Sequence, residues 1–228
     1  MINVEGEFVE RAFWSIMKRK IAISSVFLVA GAFWLGGVVP PLAEGTEQEG
    51  LQRQEERVMK WRKERDEFFK NHTRSPLLPK DKEKFRGLHY YPFHRDLVFW
   101  GRIERYIFHI NNPKYYATFL TNKGTNKRYI RYGRFHLELN GKEHSLEIYK
   151  SILSDNLFIP FNDRTNGKET YGGGRYLDAE ILKDYKMVLD FNMAYHPSCA
   201  YNDKFVCALP PKENMVDLEI RAGEKNFK

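Results

Sequence analysis

Residues 135–148 read FHLELNGKEHSLEI, and this stretch decides the fold. Phe135, Leu137 and Leu139 alternate with His136 and Glu138, and Leu146 and Ile148 alternate with Ser145 and Glu147. Such alternation sends successive side chains to opposite faces of a strand, and Asn140-Gly141 between the runs tolerates the positive φ of a two-residue turn. The reading is a β-hairpin with one buried face. Working outward, strands are expected at 105–110, 115–121, 128–132, 157–161, 187–192, 205–209 and 215–221. In the last, Val216, Leu218 and Ile220 alternate with Asp217, Glu219 and Arg221. About nine short strands with frequent turns predict a mainly β domain, a sandwich or partly closed barrel, over residues 75–228.

Upstream the period changes. Leu51, Val58, Trp61 and Phe68 share one stripe, roughly a heptad seam interrupted by Gln54 and Arg65. The spacing predicts an amphipathic helix over 51–74, ended by Pro76 and Pro79. Two roles fit it: packing on its own domain, which is favoured because most amphipathic helices cover their own core, or a stalk for a partner helix. Residues 44–50 read as a short acidic linker with Glu44, Glu47 and Glu49.

Residues 21–39 hold no charged side chain, and the uncharged run continues through Ala43. A helix of that length crosses a hydrocarbon core of about 30 Å. Lys18, Arg19 and Lys20 immediately precede it, so the positive-inside rule predicts a short inside tail at 1–20, a transmembrane anchor at 21–43 and an exported C-terminal domain. The competing reading is a cleaved signal peptide. Against it, the run exceeds the usual apolar core of about 7–15 residues, the leader carries Glu5, Glu7 and Glu10, and Pro41-Leu42-Ala43 is a poor cleavage site. The expected setting is a bacterial inner membrane with the domain in the periplasm; a mitochondrial inner membrane facing the intermembrane space also fits. The partners this implies are the lipid bilayer and other membrane protein subunits.

Composition narrows the classes further. With 42% hydrophobic and 15% aromatic residues in 228, a buried core is feasible and wholesale disorder is excluded. A formal charge of +7 suits nucleic acid or anionic lipid. The basic stretch 53–70, however, also carries Glu55, Glu56, Glu64, Asp66 and Glu67, and there is no zinc-finger spacing or arginine-rich block. A nucleic-acid partner is therefore not expected. Two cysteines exclude a disulfide-rich scaffold and a Cys₄ zinc site within one chain.

The C-terminal third carries the motifs. Residues 160–178 read PFNDRTNGKETYGGGRYLD and residues 190–202 read DFNMAYHPSCAYN. Cys207, Pro210-Pro211-Lys212-Glu213-Asn214 and Ala222-Gly223-Glu224-Lys225 follow. Together with Ser75-Pro76-Leu77 and Phe85-Arg86-Gly87-Leu88, this set resembles an uncharacterised family, the domain of unknown function 1684, over residues 51–228. The resemblance implies a mostly β domain preceded by a helix, and brings no activity, substrate or cofactor. Relative to that pattern, His196 stands in place of Asn, Ser198 in place of an aromatic residue and Ala208 in place of Pro.

Asp163, Thr170, Gly172, Gly173, Gly174, Arg175, Asp190, Asn192 and Tyr195 form the candidate polar cluster, either a ligand site or a structural network. Three glycines before Arg175 make a concavity of N–H groups beside a cation, suited to carboxylate or phosphate, or else a bend where bare backbone admits another segment. The bend is favoured. The glycine spacing matches neither a P-loop nor a dinucleotide fingerprint. Asp163, Asp178 and Asp190 offer carboxylates and His196 a base, but no spacing pairs them, and turn carboxylates satisfied by backbone N–H groups are the favoured reading. Ser198 lacks a nucleophile elbow, the seven histidines show no metal-ligand spacing, and Cys-x-x-Cys-His is absent. No catalytic residue, metal or cofactor is assigned. Cys199 and Cys207, joined through a turn at 201–204 and exported by the predicted topology, are expected to form a hairpin disulfide.

Two functions follow. The favoured one is a non-catalytic accessory or scaffold subunit whose exported β domain docks on a larger membrane assembly, of respiratory type by analogy of architecture. The alternative is a membrane-tethered enzyme or a binding domain for a small anionic or polar ligand. They part on whether the polar cluster opens onto a pocket or interlocks as a satisfied network.

Overall fold

The computed structural model describes residues 47–227. The predicted inside tail and transmembrane anchor, 1–20 and 21–43, lie outside the described residues. Among the described residues, no helix is long and apolar enough to cross a membrane.

Helix α1 (Glu47–Asn71) opens the described chain and a short α2 (Pro79–Lys84) follows. Glu47 and Glu49 occupy the first turn of α1 and Lys70 the last, which complements the helix dipole. Glu47 and Glu49, expected in a linker, are therefore helical. Eight strands come next: β1 (Val98–Arg105), β2 (Tyr116–Leu120), β3 (Asn126–Leu139), β4 (Lys142–Ser151), β5 (Leu157–Asp163), β6 (Arg175–Ala179), β7 (Lys186–Asp190) and β8 (Met215–Val216). The main path of the sheet is β6-β5-β4-β3-β1-β7, with β2 on β3 and β8 on β5. Every pairing is antiparallel except β5–β8. The end strands β6 and β7 touch without forming a ladder, so the sheet is a half-barrel with an open seam. That is the partly closed barrel, not the sandwich.

The hairpin that set the reading is present. Leu139 faces Lys142, and Asn140 and Gly141 both adopt positive φ (52° and 71°). Phe135, Leu137, Leu139, Leu146 and Ile148 enter one core with Ile159, Phe161, Leu177, Met187 and Leu189. The strands expected at 128–132 and 135–139 are one strand, bent by a bulge between Arg131 and Gly133. The bend lets β3 pair β2 with its first half and β1 with its second.

Other expectations shift. The strand expected at 105–110 ends at Arg105, and β1 instead occupies the residues before it. Strand β6 was not anticipated, because Arg175, Tyr176 and Leu177 are all buried and show no alternation. Residues 205–209 form no strand, only a bridge from Ala208 to Thr121. At 215–221 just Met215–Val216 pairs; further on, the Ile220 N–H donates to the Asp163 side chain at 2.7 Å instead of to a neighbouring strand.

Helix α1 packs on this domain, as the favoured reading had it. Trp61, Phe68 and Phe69 meet Leu77, Phe85, Tyr176, Tyr195 and Tyr201 in a second core on the outside of the half-barrel.

Gly133 marks the tightest point of the bend. A Cβ there would lie 2.6 Å from the Glu104 carbonyl oxygen, a backbone atom that cannot swing aside. Gly133→Ala is expected to destabilise the domain by about 1–3 kcal/mol, read as a lower urea midpoint with an unchanged slope.

Candidate functional site

The predicted cluster divides into three places. Asp163 at the end of β5, Thr170 in the following loop and Arg175 at the start of β6 come together inside the half-barrel. Arg175 Nη2 lies 3.2 Å from Asp163 Oδ2, with both side chains 0% exposed. The guanidinium also donates to the Ala222 and Ile220 carbonyls and sits 5.1 Å from the Phe161 ring centroid. Burial lowers the Arg175 pKa, and the Asp163 carboxylate opposes that shift. Asp163 accepts in addition from the Thr165 hydroxyl at 2.9 Å and the Ile220 N–H at 2.7 Å, while Thr165 and Thr170 share a hydroxyl contact at 2.8 Å.

The glycines are a bend. Gly174 has φ +87°, its N–H donates to the Tyr171 carbonyl, and an added Cβ would strike Pro210 and Asn162 at 2.4 and 2.6 Å. That N–H is taken and the Arg175 guanidinium is turned inward, so the concavity weighed as the alternative has no cation beside it.

Asp190 and Asn192 sit together at the end of β7. Asp190 accepts from Gln54 Nε2 and from both the backbone and side-chain N–H groups of Asn192, all at 2.8 Å. Burial raises the Asp190 pKa against these bonds. Asn192 in turn accepts from the His94 N–H at 2.7 Å and donates to the His94 carbonyl at 2.9 Å. Tyr195 lies apart from both groups: its hydroxyl donates to Asp178 Oδ1 at 3.1 Å.

A third network was not assembled from the sequence. Arg65 of α1 reaches Glu224 at 3.2 Å, the His196 carbonyl at 3.3 Å and the Tyr201 hydroxyl at 3.4 Å. Its guanidinium is also 4.8 Å from the Phe69 ring and 4.7 Å from the Tyr195 ring. Glu224, wholly buried, accepts as well from the Tyr201 hydroxyl and the His196 N–H. Burial raises its pKa, and Arg65 opposes the rise. Arg62, one residue beyond Trp61, donates to the Tyr91 and Asn192 carbonyls. The sequence signal lay on the helix side alone: Gln54 and Arg65, which interrupt the apolar seam of α1, lie on its buried face, where Gln54 bonds Asp190 and Arg65 bonds Glu224.

One cavity of about 460 Å³ opens where β6 and β7 part and α1 crosses the seam. Leu177, Leu189 and Met193 form its apolar wall, and Gln54, Asp178 and Asp190 its polar one. Arg57 and Glu180, also in its lining, pair at 2.9 Å and are both exposed. The candidate residues reach this cavity through Asp190; the Asp163–Arg175 group is not in its lining. Among the described residues, no group of three or more His, Cys, Asp and Glu side chains is placed to share a metal ion.

The structure does not support the expected disulfide: Cys199 and Cys207 are buried and no bond joins them. They are neighbours, with the Cys199 N–H donating to Cys207 Sγ at 3.2 Å and the Tyr171 hydroxyl to Cys199 Sγ at 3.6 Å. The hairpin assumed for them does not exist, since Cys199 lies in a 3₁₀ turn (Ser198–Ala200) and Cys207 in a loop.

Residues 83–225 match a family described as "Protein of unknown function (DUF1684)". The chain is also similar to the uncharacterized protein from gene locus rrnAC0354 of Haloarcula marismortui, whose structure was solved by NMR in solution. The two share 31% identity over 78% of this chain and 97% of the other, with a TM-score of 0.61. Nearly the whole of that relative is matched, and that relative is folded in solution. No curated protein matches this sequence.

His196 gives the network a pH signature. Its Nε2 accepts the Tyr171 N–H at 3.2 Å, which puts the ring proton on Nδ1, 3.8 Å from Glu224 Oε1. Burial holds its pKa well below the ordinary value, and the Arg175 and Arg65 charges act in the same direction. Below pH about 6.5 the unfolded chain takes up a proton that the folded one refuses, so stability falls with pH. Glu224 and Asp190, with raised pKa values, contribute slopes of the opposite sign that a variant at 196 retains. His196→Asn keeps an acceptor for Tyr171 and is expected to remove a slope of up to about 1.4 kcal/mol per pH unit between pH ~6.5 and ~5. Urea denaturation of both proteins across that range measures it.

Proposed function

The chain belongs to the DUF1684 family, and from its site we propose a non-catalytic accessory or scaffold subunit, held at a membrane by its N-terminal segment, whose β domain docks on a larger membrane protein assembly. The observation that carries this reading is the Asp163–Arg175 pair. The residues best suited to bind or activate a substrate are wholly buried and occupied by one another and by backbone carbonyls. A catalytic acid, base or anion clamp needs an open face toward its substrate. Asp190, held by Gln54 and Asn192, and Glu224, held by Arg65 and Tyr201, support the same reading.

The seam cavity favours a second reading, a binding domain for a small molecule. Asp178 and Asp190 in its wall suit a cationic or neutral polar group over an anion. A stoichiometric small molecule released on denaturing the purified protein, and seen by mass spectrometry, would put this reading first.

Arg175→Ala separates structural from ligand-binding roles. Left without its partner, buried Asp163 should cost about 3–5 kcal/mol, a fall in melting temperature of about 10 °C or more for a chain of this size. A variant that melts with the wild type contradicts the structural role. Purifying the full chain in mild detergent tests the docking: a stoichiometric membrane-protein companion is expected, and a chain that elutes alone contradicts it.

A further inference from the structure

Residues 105–137 contain seven lysines and arginines and no carboxylate. The start of this segment leaves the sheet. After Arg105 the chain forms a loop in which Ile107 is 77% exposed, Ile110 71% and Phe108 41%. The loop is braced from beneath: the Tyr106 N–H donates to the Tyr132 carbonyl at 3.1 Å and the Tyr116 hydroxyl to the Ile110 carbonyl at 2.9 Å. Phe108 packs edge-on against Tyr115 and Tyr116, both at 5.8 Å. The apolar tips are thus held outward by a fixed scaffold.

Cations ring the tips. Lys114 lies over Tyr115 at 4.8 Å, Arg128 over Tyr116 at 5.3 Å, and Arg105 over Tyr185 at 5.5 Å. The neighbouring carboxylates are outnumbered: Glu147, which accepts from the Tyr106 hydroxyl, is buried between Arg131 and Arg134, Glu104 lies 3.0 Å from His136, and Asp184 stands between Lys183 and Lys186 near Tyr185.

We propose that this loop, with its ring of Arg105, Lys114 and Arg128, docks the β domain on an anionic lipid surface. Charge complementarity and side-chain chemistry select that occupant. Protruding aliphatic side chains gain free energy by entering the acyl boundary, tyrosines settle at headgroup depth, and lysines and arginines meet the anionic headgroups. Single-stranded RNA would use the same cations and the aromatic rings, but Ile107 and Ile110 offer no ring face for a base to stack on. The proposal stands whether or not residues 21–39 span the bilayer.

The segment 47–228, which holds the whole described domain and has nearly the extent matched in the solution relative, tests it when expressed alone. It is expected to sediment with phosphatidylcholine–phosphatidylglycerol vesicles and far less with phosphatidylcholine alone, with binding weakened by salt. Ile107→Asp with Ile110→Asp, and separately Lys114→Glu with Arg128→Glu, should each lower the partition coefficient roughly tenfold or more. Melting temperatures should be unchanged, because these side chains are exposed. Failure to bind the anionic vesicles, binding indifferent to both double variants, or binding to a single-stranded RNA oligonucleotide in preference to the vesicles overturns the proposal.

Discussion

The described structure depends on a buried ion pair between its first helix and its last turn. Arg65 and Glu224 are 159 residues apart in sequence and 3.2 Å apart in space. Removing two such charges from water is costly, and further hydrogen bonds must offset that cost. Here the Tyr201 hydroxyl, the His196 carbonyl and the His196 N–H supply such bonds, and aromatic rings on α1 and the domain close over the guanidinium. The pair therefore fixes three things together: the docking of α1, the path of residues 195–201 and the return of the C-terminal segment.

That arrangement explains how a half-barrel remains folded with its seam unzipped. An open sheet edge leaves backbone groups and apolar interior without cover. Helix α1 supplies the cover, with Trp61, Phe68 and Phe69 as apolar contacts and Gln54, Arg62 and Arg65 as polar ties to Asp190, Asn192 and Glu224. The cavity lies where the cover is thinnest, beside Gln54. The polar residues that resemble catalytic equipment in the sequence are the ties and braces of this closure, and the chemically open surfaces lie elsewhere, at the seam and at the loop after β1.

Much of the fold was legible. Alternation about Asn140-Gly141 reports a strand pair with one buried face, and over 135–139 it held residue by residue; on β4 Leu146 and Ile148 are buried as expected, but so is Glu147 on the other face, held by Arg134 and Asn214. Legibility failed where burial was not one-sided. On β6 Arg175 and Leu177 are buried in the barrel interior and Tyr176 on the opposite face under α1, so the strand shows no alternation; residues 106–110 alternate with nothing because they leave the sheet. The mutual pairing of Asp163 and Arg175 was foreseeable as one of two outcomes. Glu224 was not, because an acidic residue between Gly223 and Lys225 in a C-terminal tail reads as solvated, and only the tertiary fold brings Arg65 to it.

A double-mutant cycle on Arg65→Leu and Glu224→Leu tests the account most directly. If the pair joins helix to domain, each single variant leaves one buried charge unpaired, while the double variant removes both. The double variant is then expected to be less destabilised than the sum of the singles, by about 2 kcal/mol or more. Additive effects within about 0.5 kcal/mol would contradict the claim that this ion pair holds the structure together.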